Sequence, residues 1–351
     1  MTSAAAMLDW QFAADLGARL ARPGPPMSDY TRDQAIAVLA DCALRAEPLV
    51  REISRLTAGQ DAPEAAIVDR PDWIRAAAAG MRVLMSAATG PAEPEPEPSG
   101  LLGRAGALAS TLAGRAAGAQ TGAVLAFVSS GILGQFDPFG ADGPRLLLVY
   151  PNIVAVERQL RVPPADFRLW VCLHEVTHRV QFSANPWLSD YMASAVGVLT
   201  GENEEQFSDL LTRVSAFARN REEGMVGLLR ATMAEPQRKA LDQMLVLGTL
   251  LEGHADHVMD AVGPSVVPSV HTIRARFNSR RERKHSPLQR LLRAVLGLDA
   301  KLAQYTRGKA FVDNVVGRVG MDRFNTIWTG PDTLPLPPEV DHPQRWIDRV
   351  L

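Results

Sequence analysis

The sequence predicts a mainly α-helical protein with a small amount of β-strand, on three observations. Ala, Leu and Arg recur at helix-compatible spacing through the first 90 of the 351 residues. Strand-type alternation is hard to find. One continuous apolar run, "RLLLVYPNI" at 145–153, is bounded by Gly-Pro and Pro and is the best strand candidate.

Residues 1–90 read as an N-terminal helical region: "DWQFAADLGARLA", a Pro23–Pro26 turn, "TRDQAIAVLADCALRAEPLVREISRLTAG" and "RPDWIRAAAAGMRVLMSAATG". At 91–100, "PAEPEPEPSG" alternates proline with acid, which blocks helices and sheet ladders and predicts an exposed linker or loop. Residues 101–351 then form one further domain, or continue a single one. Its first part, 101–135, is dense in Gly, Ala and Ser and predicts two buried helices; "GQFDPFGADGPR" is turn chemistry. The run at 146–150 offers a strand edge on which an extended peptide could pair. "VPPADFRLWVCLHEVTHRVQF" opens a helix, with prolines suited to the first turn and Asp166 at the positive end of the dipole. "EPQRKALDQMLVLGTLLEGHADHVMDAVG" predicts one helix over 236–262, stopped at Gly263-Pro264. Helices follow at 287–297 and 299–328.

Bulk composition narrows the function classes. The chain is 46% hydrophobic and 22% charged, as an ordinary soluble protein is. Lys+Arg less Asp+Glu is 37 − 39 = −2, so there is no global attraction to nucleic acid or acidic membranes. The basic run "RFNSRRERKH" (276–285) lacks interleaved aromatics beyond Phe277 and reads as a solvated helix end rather than a nucleic-acid contact. Cys42 and Cys172 make no disulfide framework and favour a reducing compartment. The start lacks a basic-then-apolar signal pattern, and "TGAVLAFVSSGILG" (121–134) is too short to span a bilayer. The expected setting is therefore the cytoplasm, with no membrane partner.

The chemistry gathers at "VCLHEVTHRVQF", residues 171–182. His174 and His178 are four apart, so in a helix they share a face and can present two imidazoles to one ion. Zinc takes imidazole nitrogen readily, and a catalytic zinc uses three protein ligands, leaving the fourth position to water. Glu175 sits about 100° round the helix from His174, unsuited to be a ligand but suited to be a general base. Phe167, Leu169, Trp170, Val171, Leu173, Val176 and Val180 make this helix apolar on nearly every side. Burying two histidines and a glutamate there is costly without a partner, and a metal is such a partner.

Gln181 and Ala184 stand where the extended metzincin pattern needs Gly and His, which excludes that class. The remaining common solution takes a Glu from a second helix, with an acid one turn later to hold a ligand histidine. "EGHADHVMD" supplies Glu252 and Asp256, four apart on one face.

"HEVTH" with the downstream "EGHAD" resembles the glutamate zincins, the thermolysin-like metallopeptidases. The wider chain, through "RPDWIRA", "GQFDP", "PNIVAVERQL", "LEGHADHVMD" and "GLDAKLAQY", resembles the actinobacterial zincin-like metallopeptidase type 2 family, which is described as associated with coenzyme F-420 biosynthesis. The resemblance implies a zinc-dependent hydrolase, a peptidase acting on a peptide or protein, with a zincin-like helical fold and one zinc per chain. His174, His178 and Glu252 would be the ligands, Glu175 the general base, and Asp256 a partner of a ligand histidine. The departure is the interval of 252 − 178 = 74 residues, longer than in thermolysin-like enzymes. His257 lies about 140° off the Glu252 face, a poor co-ligand but a candidate substrate contact; His254, about 200° away, points elsewhere. An oxyanion would need a further donor, for which Tyr305 and His271 rank ahead of Arg274 and Lys301.

Two other readings compete. Glu175 and His178 also spell the Glu-x-x-His pair of di-iron oxidases, but Ala255 stands three after Glu252 where the second histidine should be. A zinc-holding scaffold without turnover is the other, against which an intact Glu175 argues.

Overall fold

A computed structural model describes residues 8–57, 64–89, 100–201, 233–281 and 298–351, without the side chains of 100–107, 281 and 298–306. The linker at 91–99 and the helix expected at 287–297 lie outside the described residues. The chain divides into two compact units, Met1–Ala193 with Val258–Phe277, and Ser194–His257 with Asn278–Leu351.

In the first unit, α1 (Trp10–Leu20) begins where Asp9 accepts from the Phe12 amide at 2.9 Å, and α2 (Asp29–Ser54) where Ser28 accepts from the Thr31 amide at 3.2 Å. Such caps satisfy amides that have no partner within the helix. After β1 (Ala66–Val68) and α3 (Arg70–Thr89) comes α4 (Gly100–Ser129). It is one helix, not the two expected from 101–135, because its glycines bring helices into contact instead of breaking the chain. A Cβ at Gly118 would stand 2.7 Å from the Asp9 carbonyl oxygen, and one at Gly122 2.6 Å from that of Ala13.

β2 (Gly134–Asp137) and β3 (Arg145–Val149) follow. The sheet order is β1-β3-β2, with β1 parallel and β2 antiparallel to β3 (Ile67 opposite Leu148, Gln135 opposite Leu147). Two expectations are corrected here. "GQFD" is a strand rather than a turn, and the apolar run is central, with both edges occupied, so β2 is the edge beside the helix that carries His174 and His178. The run also stops short, since Pro151 at the start of α5 (Tyr150–Leu160) is suited to a first helical turn.

Trp73, Ile74, Leu125, Leu147 and Val149 form the core between sheet and helices. Arg70 donates to Asn152 Oδ1 at 2.7 Å and to the Arg22 and Pro23 carbonyls, tying α3 to the start of α5. α6 (Pro164–Ala184) packs along α2, and Asp166 in its first turn accepts from the Ser269 amide at 2.9 Å, just before α9 (Val270–Arg281). Cys42 on α2 and Cys172 on α6 are both buried and free. Burial pushes the Cys172 thiol up, and a hydrogen bond with it draws Cys42 down.

α7 (Trp187–Thr200) and α8 (Glu235–Val262) run through the division between the units. The second unit holds α10 (Leu298–Val319), which ends at Gly320 with φ +81°, and α11 (Met321–Phe324). A carboxyl-terminal segment with α12 (Pro337–Asp341) and α13 (Pro343–Val350) completes it. There Arg349 grips both oxygens of Glu339, and Trp346 donates to the Thr333 carbonyl at 2.8 Å. Buried His254 stacks on Phe324 and lies edge-on to Trp328. Among the described residues, no helix is long and apolar enough to cross a membrane.

Candidate metal centre

α6 carries His174, Glu175 and His178. Stacked one turn apart, the imidazoles converge, with their Nε2 atoms 3.2 Å apart and the ring planes at 90°. Their other nitrogens also have neighbours. His178 Nδ1 donates to Gln181 Oε1 at 2.9 Å, and His174 Nδ1 faces the Met259 sulfur at 3.1 Å, an atom that can only accept. Nitrogens bound at about 2.0–2.1 Å to a tetrahedral zinc lie about 3.3 Å apart, so the donor pair fits that ion.

Met259 lies on α8, and Glu252 is two turns before it, about 20° from the same line along the helix. The ligand atoms of His174, His178 and Glu252 all lie within 4.8 Å of one another, a group able to hold a metal ion among the described residues. Two neutral imidazoles and one carboxylate are a donor set that zinc accepts.

Glu175 is 8% exposed and is pressed against β2: a Cβ at Gly134 would stand 2.6 Å from its Cγ and 2.7 Å from its Cδ. The sheet edge thus meets the carboxylate with bare backbone. Asp256 is buried one turn beyond Glu252.

The remaining expected residues are placed as follows. His257 Nδ1 hydrogen-bonds Asp313 Oδ1 at 2.7 Å. Burial pushes the Asp313 carboxyl up, but hydrogen bonds from His257 and Lys309 outweigh it and hold that carboxyl below the ordinary range. His271 is exposed in the first turn of α9. Arg274 pairs with Asp260 at 2.7 Å and lies over the Trp170 ring. Tyr305 is on α10, and its side chain and that of Lys301 lie outside the described residues.

Three residues of the site went unread in the sequence: Gln181, Met259 and Gly134. Gln181 has a sequence signal, since position i+3 from a helical histidine is within reach of its ring. Met259 and Gly134 depend on tertiary packing. Fully buried Gln181 orients His178, so Gln181→Leu is expected to weaken zinc binding about 10–100-fold. Competition with a chromogenic chelator measures this, and unchanged affinity in a folded variant would remove Gln181 from the site.

A family model described as zincin-like metallopeptidase matches residues 8–347. Among solved structures, a hydrolase candidate with a novel fold from Chloroflexus aurantiacus is similar, at 29% identity over 97% of this chain and 98% of its own, with a TM-score of 0.64. No curated protein matches.

Proposed function

The chain belongs to the zincin-like metallopeptidase family, and from that premise we propose that it is a zinc-dependent peptidase with a glutamate-zincin site. His174, His178 and Glu252 hold the ion in this reading. The convergence of their ligand atoms within 4.8 Å is the observation that carries it. Zinc, when bound, acidifies a water and polarises the substrate carbonyl. The chain does the rest. Glu175 takes the proton from the attacking water and delivers it to the leaving amine. An extended peptide pairs with the outer edge of β2, which among the described residues has no further strand beside it and lies against Glu175. In this reading Tyr305 or His271 supplies the donor to the oxyanion. Two free cysteines support a reducing, cytoplasmic setting.

The test is metal analysis combined with a peptide-library cleavage profile. One zinc per chain and a defined cleavage pattern are expected; two irons, or zinc without cleavage, would overturn the reading. Gly134→Ala gives a second check. The added methyl would meet Glu175 and, at 3.0 Å, the Leu147 carbonyl oxygen. Displacing the carboxylate by about 1 Å should cost about 100-fold in turnover with zinc content unchanged; wild-type kcat on a fluorogenic peptide would contradict it.

A further inference from the structure

Beside the third ligand, two helices of the second unit touch through bare backbone. A Cβ at Gly253 would stand 2.2 Å from the Gly308 carbonyl carbon and 2.6 Å from the Lys309 nitrogen. One at Gly308 would stand 2.0 Å from the Thr249 carbonyl oxygen and 3.2 Å from the Gly253 Cα. The obstacles are main-chain atoms, which cannot rotate away as a side chain would. Neither glycine has a positive φ, so space, and not backbone conformation, requires them. Glycine inside a helix costs roughly 0.5–1 kcal/mol relative to alanine, and here two face each other across one crossing.

The crossing brackets Glu252. Thr249 and Gly253 lie on either side of it along α8, and one turn further on His257 bonds to Asp313, on the same partner helix and itself held by Lys309. α10 therefore grips α8 both at Glu252 and one turn beyond. A carboxylate ligand has to be fixed closely: holding a metal depends on groups that orient the ligand as well as on the ligand itself.

We infer that Gly308 and Asp313 of α10 are positioning residues for the third metal ligand, fixing α8 so that the Glu252 carboxylate reaches the ion. This rests on the proposal that Glu252 is a ligand, and the experiment separates the two.

Cobalt replaces zinc, so that the visible d–d bands report coordination and chelator competition reports affinity, in the full chain. Glu252→Ala tests the ligand assignment alone: wild-type affinity and bands would overturn that assignment, whatever Gly308 does. Gly308→Ala tests the inference. In protein that still melts cooperatively, cobalt affinity should fall at least about 10-fold and the bands should move toward those of Glu252→Ala. A Gly308→Ala protein that melts earlier yet keeps wild-type bands and affinity would show a packing role only and overturn the inference. If Gly308→Ala does not fold, Asp313→Ala decides, since that side chain is 43% exposed and its loss severs His257 from α10. A roughly three- to ten-fold loss of cobalt affinity is expected, less than the roughly 10–100-fold typical when a group bonded directly to a ligand is removed, and no loss overturns the inference. Gly248→Ala is the control: it is four residues from Glu252 on α8 with nothing within 4 Å of an added Cβ. It should leave metal binding unchanged, and an equal loss there would overturn the specific role of the crossing.

Discussion

Glu175→Gln is expected to abolish nearly all hydrolysis while leaving one zinc per chain. The substitution keeps the size and shape of the side chain, so the fit against Gly134, where a Cβ would stand 2.6 Å from Glu175 Cγ, is preserved. What disappears is the ability to take a proton from water and return it to the amine, a contribution of about 10²–10⁴ in rate, or roughly 3–5 kcal/mol of barrier. Zinc should stay, because Glu175 lies about 100° round α6 from the His174 face. Steady-state kinetics and metal analysis on one preparation check both halves. Appreciable turnover in the variant would place the base elsewhere, and loss of zinc would make Glu175 a ligand.

Glu47→Ala should destabilise the first unit strongly. Arg179 follows His178 directly on α6 and is 3% exposed; its Nη2 meets Glu47 Oε2 at 2.6 Å. Arg51 reaches the other oxygen of Glu47 at 2.8 Å. Burial already pulls the Arg179 guanidinium below its ordinary value, opposed mainly by the charge of Glu47. Removing the carboxylate takes one partner from the buried Arg179 and leaves the charge of Arg51 no longer offset by Glu47. Breaking one partner of a buried pair costs about 3–5 kcal/mol, and the partial exposure of Glu47, 27%, puts the expectation at the lower end. Urea unfolding measures it, with Glu47→Gln expected to lose less because its amide oxygen can still accept. An unchanged midpoint in Glu47→Ala would mean that Arg179 is satisfied without Glu47.

The two site helices were legible because their signals are local. α6 starts at Pro164 with Asp166 in its first turn, and α8 spans Glu235–Val262 against an expectation of 236–262. The histidine pair follows from helical spacing alone, and Glu252 from a stretch on a second helix that combines an acid pair four apart with a density of ligand-type side chains. β2 was not legible. Four residues beginning with a glycine carry little strand propensity, and the strand exists by pairing with β3. That glycine is there because Glu175 needs the space, a tertiary reason that composition cannot display. The run at 101–135 failed for a related cause: its glycines depress helix propensity locally, but α1 lies close enough to use them.

The 74-position separation of His178 and Glu252 also has a consequence in polymer terms. An ion bound by both is a reversible cross-link that closes a long loop, and it acts on the unfolded ensemble as well as on the native site. If a closed loop of that length is counted as for a disulfide, the lost chain entropy amounts to about 4 kcal/mol. A midpoint that falls on stripping the metal with EDTA and returns on adding zinc would measure that tie. Identical melts with and without metal would show that this stretch of chain is held together by packing alone.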